Sequence, residues 1–288
     1  MKRAVVTGSS GFIGQHLVNR LKQDGFEVFR ITHNMLDHFG KLRESMLKIN
    51  PEYIFHLASY GNMGNQQNDD EIILANIIRT WTLLTATRDI KYNLFVNFST
   101  SSVYGYNAEV MGEWCKLRPI TMYAATKAGA EYICRAFRKK HQKIIVSIRP
   151  FSVYGPGEAD FRFIPTVIHN AVFKKPSQIV LGNHDWIYID DFIDGVMTIT
   201  NNYQDLTKRT FNIGTGEMHS NEDVVQEISK YIPVEYDVKP EYKKYDSKIW
   251  VSDSKRLEKL NWRCKTSFEE GIQKTVSHYI KLYGTRSK

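Results

Sequence analysis

The sequence of 288 residues predicts an α/β fold, a Rossmann doubly wound parallel sheet with a smaller C-terminal substrate-binding part. Two observations predict it. Short apolar runs alternate with amphipathic stretches over residues 1–150, and a glycine-rich turn joins the first run to the first amphipathic stretch. Strands that alternate with helices form a parallel sheet, and the helices cover both of its faces.

Each element follows from its local pattern. Apolar, β-branched runs predict strands over residues 2–7, 26–32, 53–57, 94–98 and 144–148. Helical spacing of apolar residues predicts helices over residues 12–23, 41–49, 72–87 and 123–140. Breaks such as Asp24-Gly25 and Asn50-Pro51 end the first two helices.

The pattern loosens after residue 150, where proline and glycine cluster in Gly155-Pro156-Gly157. We expect residues 1–150 to form the Rossmann domain. Residues 151–288 are expected to form mainly the substrate-binding part, which closes over the carboxyl edge of the sheet, with some segments returning to the Rossmann core.

Composition excludes several classes of protein. An apolar fraction of 42% and a charged fraction of 24% are those of a globular domain. No apolar run reaches the ~18 residues of a membrane helix, and the apolar stretch behind the basic start ends at Val6, so we expect a cytoplasmic protein without a secretory signal. The three cysteines have neither disulfide nor zinc spacing, and we expect no metal site.

The net charge of +8 comes from scattered lysines and arginines. Because they form no aromatic-basic array, they predict no nucleic-acid partner, and an ordinary solvated surface accounts for most of them. A basic surface can still attract a phosphorylated small molecule.

A glycine-rich turn follows the first predicted strand. Glycine recurs at every third position from Gly8 to Gly14, which permits positive φ and close approach of a pyrophosphate to backbone N–H groups. The turn therefore predicts a dinucleotide site, with a purely structural turn as the alternative. The residues expected to bind the cofactor here are Gly8, Ser10, Gly11, Phe12, Ile13 and Gly14.

The end of the second strand bears on which dinucleotide binds. NAD sites usually place Asp or Glu there to accept hydrogen bonds from the ribose hydroxyls, whereas residues 29–34 contain no acid. Arg30, Thr32 and His33 could instead donate to a 2′-phosphate. We therefore favour NADP(H), and NAD(H) bound without the acid is the alternative.

Tyr123 and Lys127 begin the longest predicted helix and lie one turn apart on one face. An ammonium beside a phenol is expected to lower the phenol pKa from ~10, which makes Tyr123 a candidate proton donor and acceptor at a carbinol or ketone oxygen. Such a pair also occurs by chance in many helices. The hydroxyl-rich segment over residues 99–105, directly after a strand, favours the catalytic interpretation.

These motifs, with others in the same order, resemble those of the extended short-chain dehydrogenases/reductases, the nucleotide-sugar epimerase/dehydratase/reductase group. The landmarks are residues 8–14, His56-Leu57-Ala58, Asn76, residues 99–105, Tyr123 with Lys127, residues 149–157, Asp190-Asp191, residues 212–214 and Leu260-Asn261-Trp262. The resemblance covers nearly the whole chain. It also implies a homodimer formed through the helices that hold Asn76 and Tyr123.

The resemblance assigns roles residue by residue. It implies that Tyr123 is the acid/base, that Thr100 polarises the substrate oxygen and that Lys127 also binds the nicotinamide ribose. The further cofactor contacts that it implies are Leu36, Asp37 (near the adenine amino group), Leu57, Ala58, Pro150 and Val153. The substrate contacts that it implies are Thr100, Ser101, Ser152, Arg162, His184 and Trp186, with a surface or packing role as the alternative for the last three.

Departures from the family pattern narrow the chemistry. Ser101 and Ser102 stand where the 4,6-dehydratases carry Asp-Glu, and neither serine titrates near neutral pH. The Cys and His of the GDP-fucose synthases are replaced by Ser102 and Arg162, and the family's phosphate-binding Arg is replaced by His184. What remains is chemistry at one carbinol carbon of a nucleotide-diphosphate sugar.

The leading hypothesis is NADPH-dependent reduction of a nucleotide-linked 4-keto-deoxy sugar at C4, and residues 155–165 are similar to those of the CDP-abequose and paratose synthases. The alternative is an NAD-dependent nucleotide-sugar C4-epimerase. A catalytically silent nucleotide-binding regulator is disfavoured, because such a protein is expected to have lost Tyr123 or Lys127.

Overall fold

The computed structural model describes residues 1–107, 109–242 and 248–286. In chain order the strands are β1 (Arg3–Thr7), β2 (Glu27–Ile31), β3 (Tyr53–His56), β4 (Leu94–Phe98), β5 (Ile145–Pro150), β6 (Ser152–Tyr154), β7 (Ser177–Leu181), β8 (Asn183–His184), β9 (Trp186–Tyr188), β10 (Thr210–Ile213), β11 (His219–Ser220) and β12 (Tyr236–Tyr242). The α-helices are α1 (Phe12–Gln23), α2 (His33–Leu36), α3 (Phe39–Ile49), α4 (Asp69–Ile73), α5 (Arg79–Ala86), α6 (Met122–His141), α7 (Phe163–Val172), α8 (Ile189–Asn201), α9 (Asn221–Ser229), α10 (Lys255–Glu258) and α11 (Phe268–Arg286).

The central sheet has the strand order β10-β5-β4-β3-β1-β2, and all its neighbouring strands are parallel. The predicted α/β fold with a parallel sheet is confirmed. From β1 the chain adds β2 on one side, and it then returns to add β3 and the later strands on the other side. The carboxyl ends of β1 and β3 therefore flank the crevice in which doubly wound folds bind ligands.

Helices cover both faces of the sheet, so the side chains of its middle strands are buried and most of them are apolar. Every residue of β3 and of β4 is buried. Neighbouring residues of β1 face opposite sides: Ala4 and Val6 belong to the core under α1 and α8, and Val5 belongs to the core under α3, α5 and α6. The first core is the larger, and it continues into the C-terminal part of the chain.

One predicted helix is divided. The stretch expected as a single helix over residues 72–87 consists of α4, a π-helical turn over Leu74–Ile78, and α5. The π turn holds Asn76. Its side-chain oxygen accepts the Tyr60 N–H, and its side-chain NH₂ donates to the Tyr60 carbonyl oxygen and, at 3.0 Å, to Thr126 Oγ1. Through Asn76 the π turn is therefore hydrogen-bonded to Thr126 of α6, the residue before Lys127.

Residues after 150 build the rest of the molecule and also return to the sheet, because β10 pairs with β5 as its edge strand. The smaller sheets pair β6 with β9, β7 with β12 and β8 with β11. The segment between β6 and α7 is held from α11, where the Tyr279 hydroxyl donates to the Glu158 carbonyl oxygen and Tyr283 donates to Asp160. No helix in the described ranges is long and apolar enough to cross a membrane.

Candidate active site

The glycine turn connects β1 to α1 at the crevice of the sheet. Gly8 has a φ of 66°, and the Gly11 N–H donates to the Gly8 carbonyl at 3.1 Å. A Cβ on Gly14 would lie 2.1 Å from Gly8 O, and one on Gly8 would lie 2.7 Å from Ala58 N. The turn therefore folds onto its own helix and against Ala58 without intervening side chains, and only Gly11 has room for a methyl group.

Leu57 and Ala58 lie beside this turn, as the family resemblance implies. The Leu57 N–H donates to the Thr7 carbonyl oxygen at 3.3 Å, and the Ala58 N–H donates to the Thr7 hydroxyl at 3.1 Å. The same hydroxyl shares a hydrogen bond with His56 Nδ1 at 2.8 Å, and His56 Nε2 contacts Thr80. Burial, with a smaller contribution from the charge of Lys127, lowers the pKa of His56 to about 3, so this ring is a neutral structural link.

The side chains of two residues on the adenine side are engaged within the protein. Leu36 is 1% exposed and packs in the core under α3, so its contact with the cofactor stays a prediction that its backbone would have to supply. Asp37 forms a bidentate pair with Arg79 at 2.7 and 2.8 Å, and Arg79 lowers the pKa of this carboxyl. Its carboxylate is committed to Arg79 instead of being free to meet an adenine. Thr32 and His33 are exposed after β2.

The structure brings Thr100 and Tyr123 together. Thr100 follows β4 and caps a short 3-10 turn over Ser101–Tyr104, where its hydroxyl accepts the Ser102 N–H at 3.1 Å. Thr121 caps α6 by accepting the Ala124 N–H at 3.1 Å, which fixes the first turn that carries Tyr123. The Thr100 side chain lies near enough to the Tyr123 phenol to favour its ionised form.

The electrostatics of the phenol differ from the prediction. Burial raises the pKa of Tyr123 to about 12, against smaller opposing effects from the neighbouring Thr100 side chain and the positive charge of Arg162. The prediction that Lys127 lowers this pKa is wrong for this structure: the loss of hydration outweighs the attractive effects, and the cation that acts on the phenol is Arg162.

Lys127 lies on α6 with its side chain almost entirely enclosed, 3% exposed. Burial lowers its pKa to about 8, and Cys134 and Glu131 oppose this effect. Within the described ranges its ammonium has no hydrogen-bond acceptor. An ammonium at the end of a largely enclosed side chain, without a protein acceptor, fits a site that receives hydroxyl groups from a bound molecule.

Arg162 precedes α7 and pairs with Glu158, with Nε 3.3 Å from Oε1. Burial raises the pKa of Glu158 to about 7 although Arg162 opposes it, and Glu158 Oε2 has no hydrogen-bond partner among the described residues. The sequence analysis did not identify Glu158. The sequence feature that could have indicated it is the spacing of four residues between Glu158 and Arg162, just before a helix.

Trp186 organises the remaining residues expected to bind substrate. In the register of β6 and β9 it lies opposite Ser152, its ring stacks on Phe163 at 6.0 Å between centroids, and it meets His184 edge-on at 5.3 Å. Its buried indole N–H has no acceptor in the described part of the chain. Ser152, His184 and Trp186 therefore form one cluster.

Ser101 does not join that cluster. It is 5% exposed, and its hydroxyl accepts a hydrogen bond from Trp250 Nε1 at 3.0 Å. Ser101, which the family resemblance assigns to the substrate, thus has a packing role beneath the 3-10 turn. The contact with Trp250 could not be predicted from local sequence patterns, because Trp250 lies 149 residues further along the chain.

The residues present fit a nicotinamide dinucleotide. The turn over residues 8–14 offers exposed backbone at Ser10 and Gly11. On the helix of Tyr123, Lys127 offers an ammonium without a protein acceptor among the residues that the structure describes. Pro150 and Val153 lie where the chain leaves β5 and enters β6. In the sheet β5 is the neighbour of β4, the strand that Thr100 follows. No cluster of potential metal ligands occurs in the described ranges.

A parallel sheet with this turn at its crevice, and with Thr100 against Tyr123, defines an extended short-chain dehydrogenase/reductase enzyme. The chain belongs to the NAD dependent epimerase/dehydratase family, whose sequence pattern matches residues 4–214. It is 27% identical to the uncharacterized UDP-glucose epimerase YtcB of Bacillus subtilis, over 98% of this chain and 99% of that protein.

Two further comparisons are informative. The chain is 26% identical to a trifunctional UDP-glucose 4,6-dehydratase, epimerase and reductase of Arabidopsis thaliana, over 97% of this chain but 47% of that protein, so it spans about half the length of this relative. Among solved structures, the UDP-glucuronic acid 4-epimerase of Bacillus cereus in complex with UDP-glucuronic acid and NAD superposes with a TM-score of 0.83. It is 26% identical, over 98% of this chain and 100% of that one.

Proposed function

We propose that this protein is an NADPH-dependent reductase that acts at C4 of a nucleotide-linked 4-keto-deoxy sugar. The observation that carries the proposal is the placement of Tyr123 against Thr100, with the buried ammonium of Lys127 on the same helix. Ser101 and Ser102 supply no acid/base pair beside Thr100, so elimination of water has no catalyst there.

The residues have distinct roles in this reaction. When bound, the nicotinamide supplies a hydride to C4. Tyr123 donates the proton to the C4 oxygen, and Thr100 orients that oxygen by hydrogen bonding. Since the pKa of Tyr123 is about 12, the phenol is protonated at neutral pH, which is the form that reduction requires. Lys127 donates to the ribose hydroxyls of the cofactor.

The charges around the end of β2 support NADP(H). Arg30, Thr32 and His33 are exposed there, and Asp37, the next acid along the chain, is held by Arg79. A 2′-phosphate would therefore meet donors and positive charge without a competing free carboxylate.

The substrate class follows from the other side of the site. Ser152, Arg162, His184 and Trp186 supply a hydroxyl, a cation and aromatic faces, which suit a diphosphate and a sugar. The relatives named above act on or bind UDP-sugars, and we extend to this chain only the class of nucleotide-diphosphate sugars.

A homodimer is part of the proposal. The π turn, α5 and α6 expose large apolar side chains that a partner copy of this chain would cover, namely Ile78, Trp81, Met122 and Tyr132. A cytoplasmic location stays a prediction.

A second candidate is a C4-epimerase with tightly held NAD. The observation that favours it is the similarity to the Bacillus cereus UDP-glucuronic acid 4-epimerase, whose crystals contain NAD. Epimerisation would use the same Thr100, Tyr123 and Lys127, but its first, oxidative half needs Tyr123 as phenolate.

Cofactor content and turnover separate the two. The purified protein should contain no nicotinamide, and it should oxidise added NADPH only when a 4-keto nucleotide sugar is present. UDP-, dTDP-, CDP- and GDP-linked 4-keto sugars are compared in parallel, each with NADPH and with NADH. A protein that retains NAD(H) through purification and interconverts C4 epimers without added cofactor would contradict the reductase and establish the epimerase.

A further inference from the structure

A second concave site lies along the C-terminal half of α6, apart from the glycine turn and the Tyr123 site. It is a cavity of about 520 Å³ between α6, β5, the segment before β10 and the segment around Cys115. This volume lies within the range of small-molecule sites. None of the residues assigned above to catalysis, cofactor or substrate lines it.

The lining is strongly basic, and only part of its charge is balanced. Arg149 pairs with Glu131 at 2.6 Å, and Arg256 pairs with Glu113 at 3.3 Å. The lining cations without an ion pair in the described part of the chain are Lys116, Arg135, Arg138, Lys139, Lys208 and Arg209. The two acids of the lining are thus already paired. Of the six remaining cations, Arg138 and Arg209 are half-buried and the other four are exposed.

Two half-buried arginines bring this excess charge to one place. Arg138 comes from α6 and Arg209 from the segment before β10, and the Nε–H of Arg138 is buried without an acceptor. Burial lowers the pKa of Arg209, and the positive charge of Arg138 acts in the same direction. Arg209 Nη1 donates to the carbonyl oxygens of Leu206 and Lys208. Two arginines that line one cavity, one of them with an unused donor, favour an anion between them.

We propose that this cavity binds a small molecule through a diphosphate or triphosphate group held between Arg138 and Arg209. The planar guanidinium matches phosphate oxygens in pairs, and six uncompensated cations exceed what a single carboxylate would need. The inference does not depend on the proposed activity, since no residue of the catalytic set takes part.

A cysteine in the cavity lining can report on whether the cavity is occupied. Cys115 lines it and is half-buried, whereas Cys264 lies outside it, beside Thr266. The rates of alkylation of both thiols by iodoacetamide can be followed by peptide mass spectrometry in the full-length protein. Inorganic pyrophosphate is the probe, and sodium chloride at equal ionic strength is the control. Because the reporter is local, binding of pyrophosphate at the glycine turn does not mimic the signal.

We expect pyrophosphate to slow alkylation of Cys115 several-fold and to leave Cys264 unchanged. The double variant Arg138→Gln/Arg209→Gln should lose the protection, and Lys22→Gln, exposed on α1, should keep it. Arg135→Gln, at an exposed position of the same lining, should weaken it and serves if the double variant does not fold. Equal Cys115 rates with pyrophosphate and with chloride, or undiminished protection in these cavity variants, would overturn the proposal.

Discussion

Arg162 joins two parts of the site, because its guanidinium lies 3.3 Å from Glu158 Oε1 and its positive charge also acts on the Tyr123 phenol. Glu158 is buried, whereas the side chain of Arg162 is 41% exposed. The buried carboxyl therefore restrains an arginine that faces both solvent and the acid/base residue. Any change in the charge of Glu158 should reach the site through Arg162.

Tyr123→Phe should lower turnover about 10²–10⁴-fold, the usual contribution of a positioned general acid, with cofactor affinity little changed. The hydroxyl is lost, whereas the ring and the helix remain. Steady-state rates and cofactor titration check this, with Tyr231→Phe, exposed after α9, as the matched control. Near-normal rates in Tyr123→Phe would show that another group donates the proton.

Glu158→Gln should change how stability depends on pH. Burial raises the folded-state pKa of Glu158 from 4.5 to about 7, so between these values the native state binds more protons than the unfolded state and stability falls as pH rises. We expect the variant to be more stable than the wild type by about 1–3 kcal/mol at about pH 8 and nearly equal at about pH 5. Urea unfolding at both pH values measures this. Glu44→Gln, an exposed position on α3, is the control, and a Glu158→Gln difference that is the same at both pH values would contradict the assigned pKa.

Thr32→Asp should shift cofactor preference from NADPH towards NADH. The new carboxylate would repel a 2′-phosphate and accept hydrogen bonds from the ribose hydroxyls, and it suits the N-terminal cap of α2. The ratio of kcat/KM for NADPH to that for NADH should fall about tenfold or more. His38→Asp places the same charge beyond α2 and should leave the ratio near the wild-type value. An unchanged ratio in Thr32→Asp would argue against a phosphate at this position.

Gly14→Ala should destabilise the fold, whereas Gly11→Ala should not. The added methyl group at residue 14 would meet Gly8 O at 2.1 Å, while at residue 11 its one close neighbour is the same oxygen at 3.4 Å. We expect a loss of about 1–3 kcal/mol for Gly14→Ala, the usual cost of overpacking. Thermal unfolding of the two variants tests this, and equal midpoints would mean that the turn is looser than described.

Local sequence patterns predicted the first five strands of the sheet and the helix α1, but not the edge strand β10 or the short helix α2. The predicted bounds of the helix over residues 12–23 and of the strand over residues 94–98 match α1 and β4, because hydrophobic periodicity and glycine breaks are local signals. The π turn at Asn76 was not predictable in the same way. One extra residue in a turn hardly alters the apolar spacing, and the turn is fixed by contacts of Asn76 with Tyr60 and Thr126.

The site was predictable in its residue types but not in its charges. The spacing of Tyr123 and Lys127 indicates proximity, whereas the pKa of the phenol depends on burial by residues distant in sequence. Glu158 escaped prediction for a similar reason, since α11 holds its backbone through Tyr279, 121 residues away. The burial of the Leu36 side chain was not predictable either, because it depends on packing beneath α3.

The most direct test of the proposed reaction follows the hydride itself. The enzyme is supplied with NADPH deuterated at the transferable position and with a 4-keto nucleotide sugar, and the product is examined by mass spectrometry and NMR. Reduction at C4 predicts one deuterium on C4 of the product sugar for each NADPH consumed. A product that forms without deuterium at C4, or without consumption of NADPH, would contradict the proposed function.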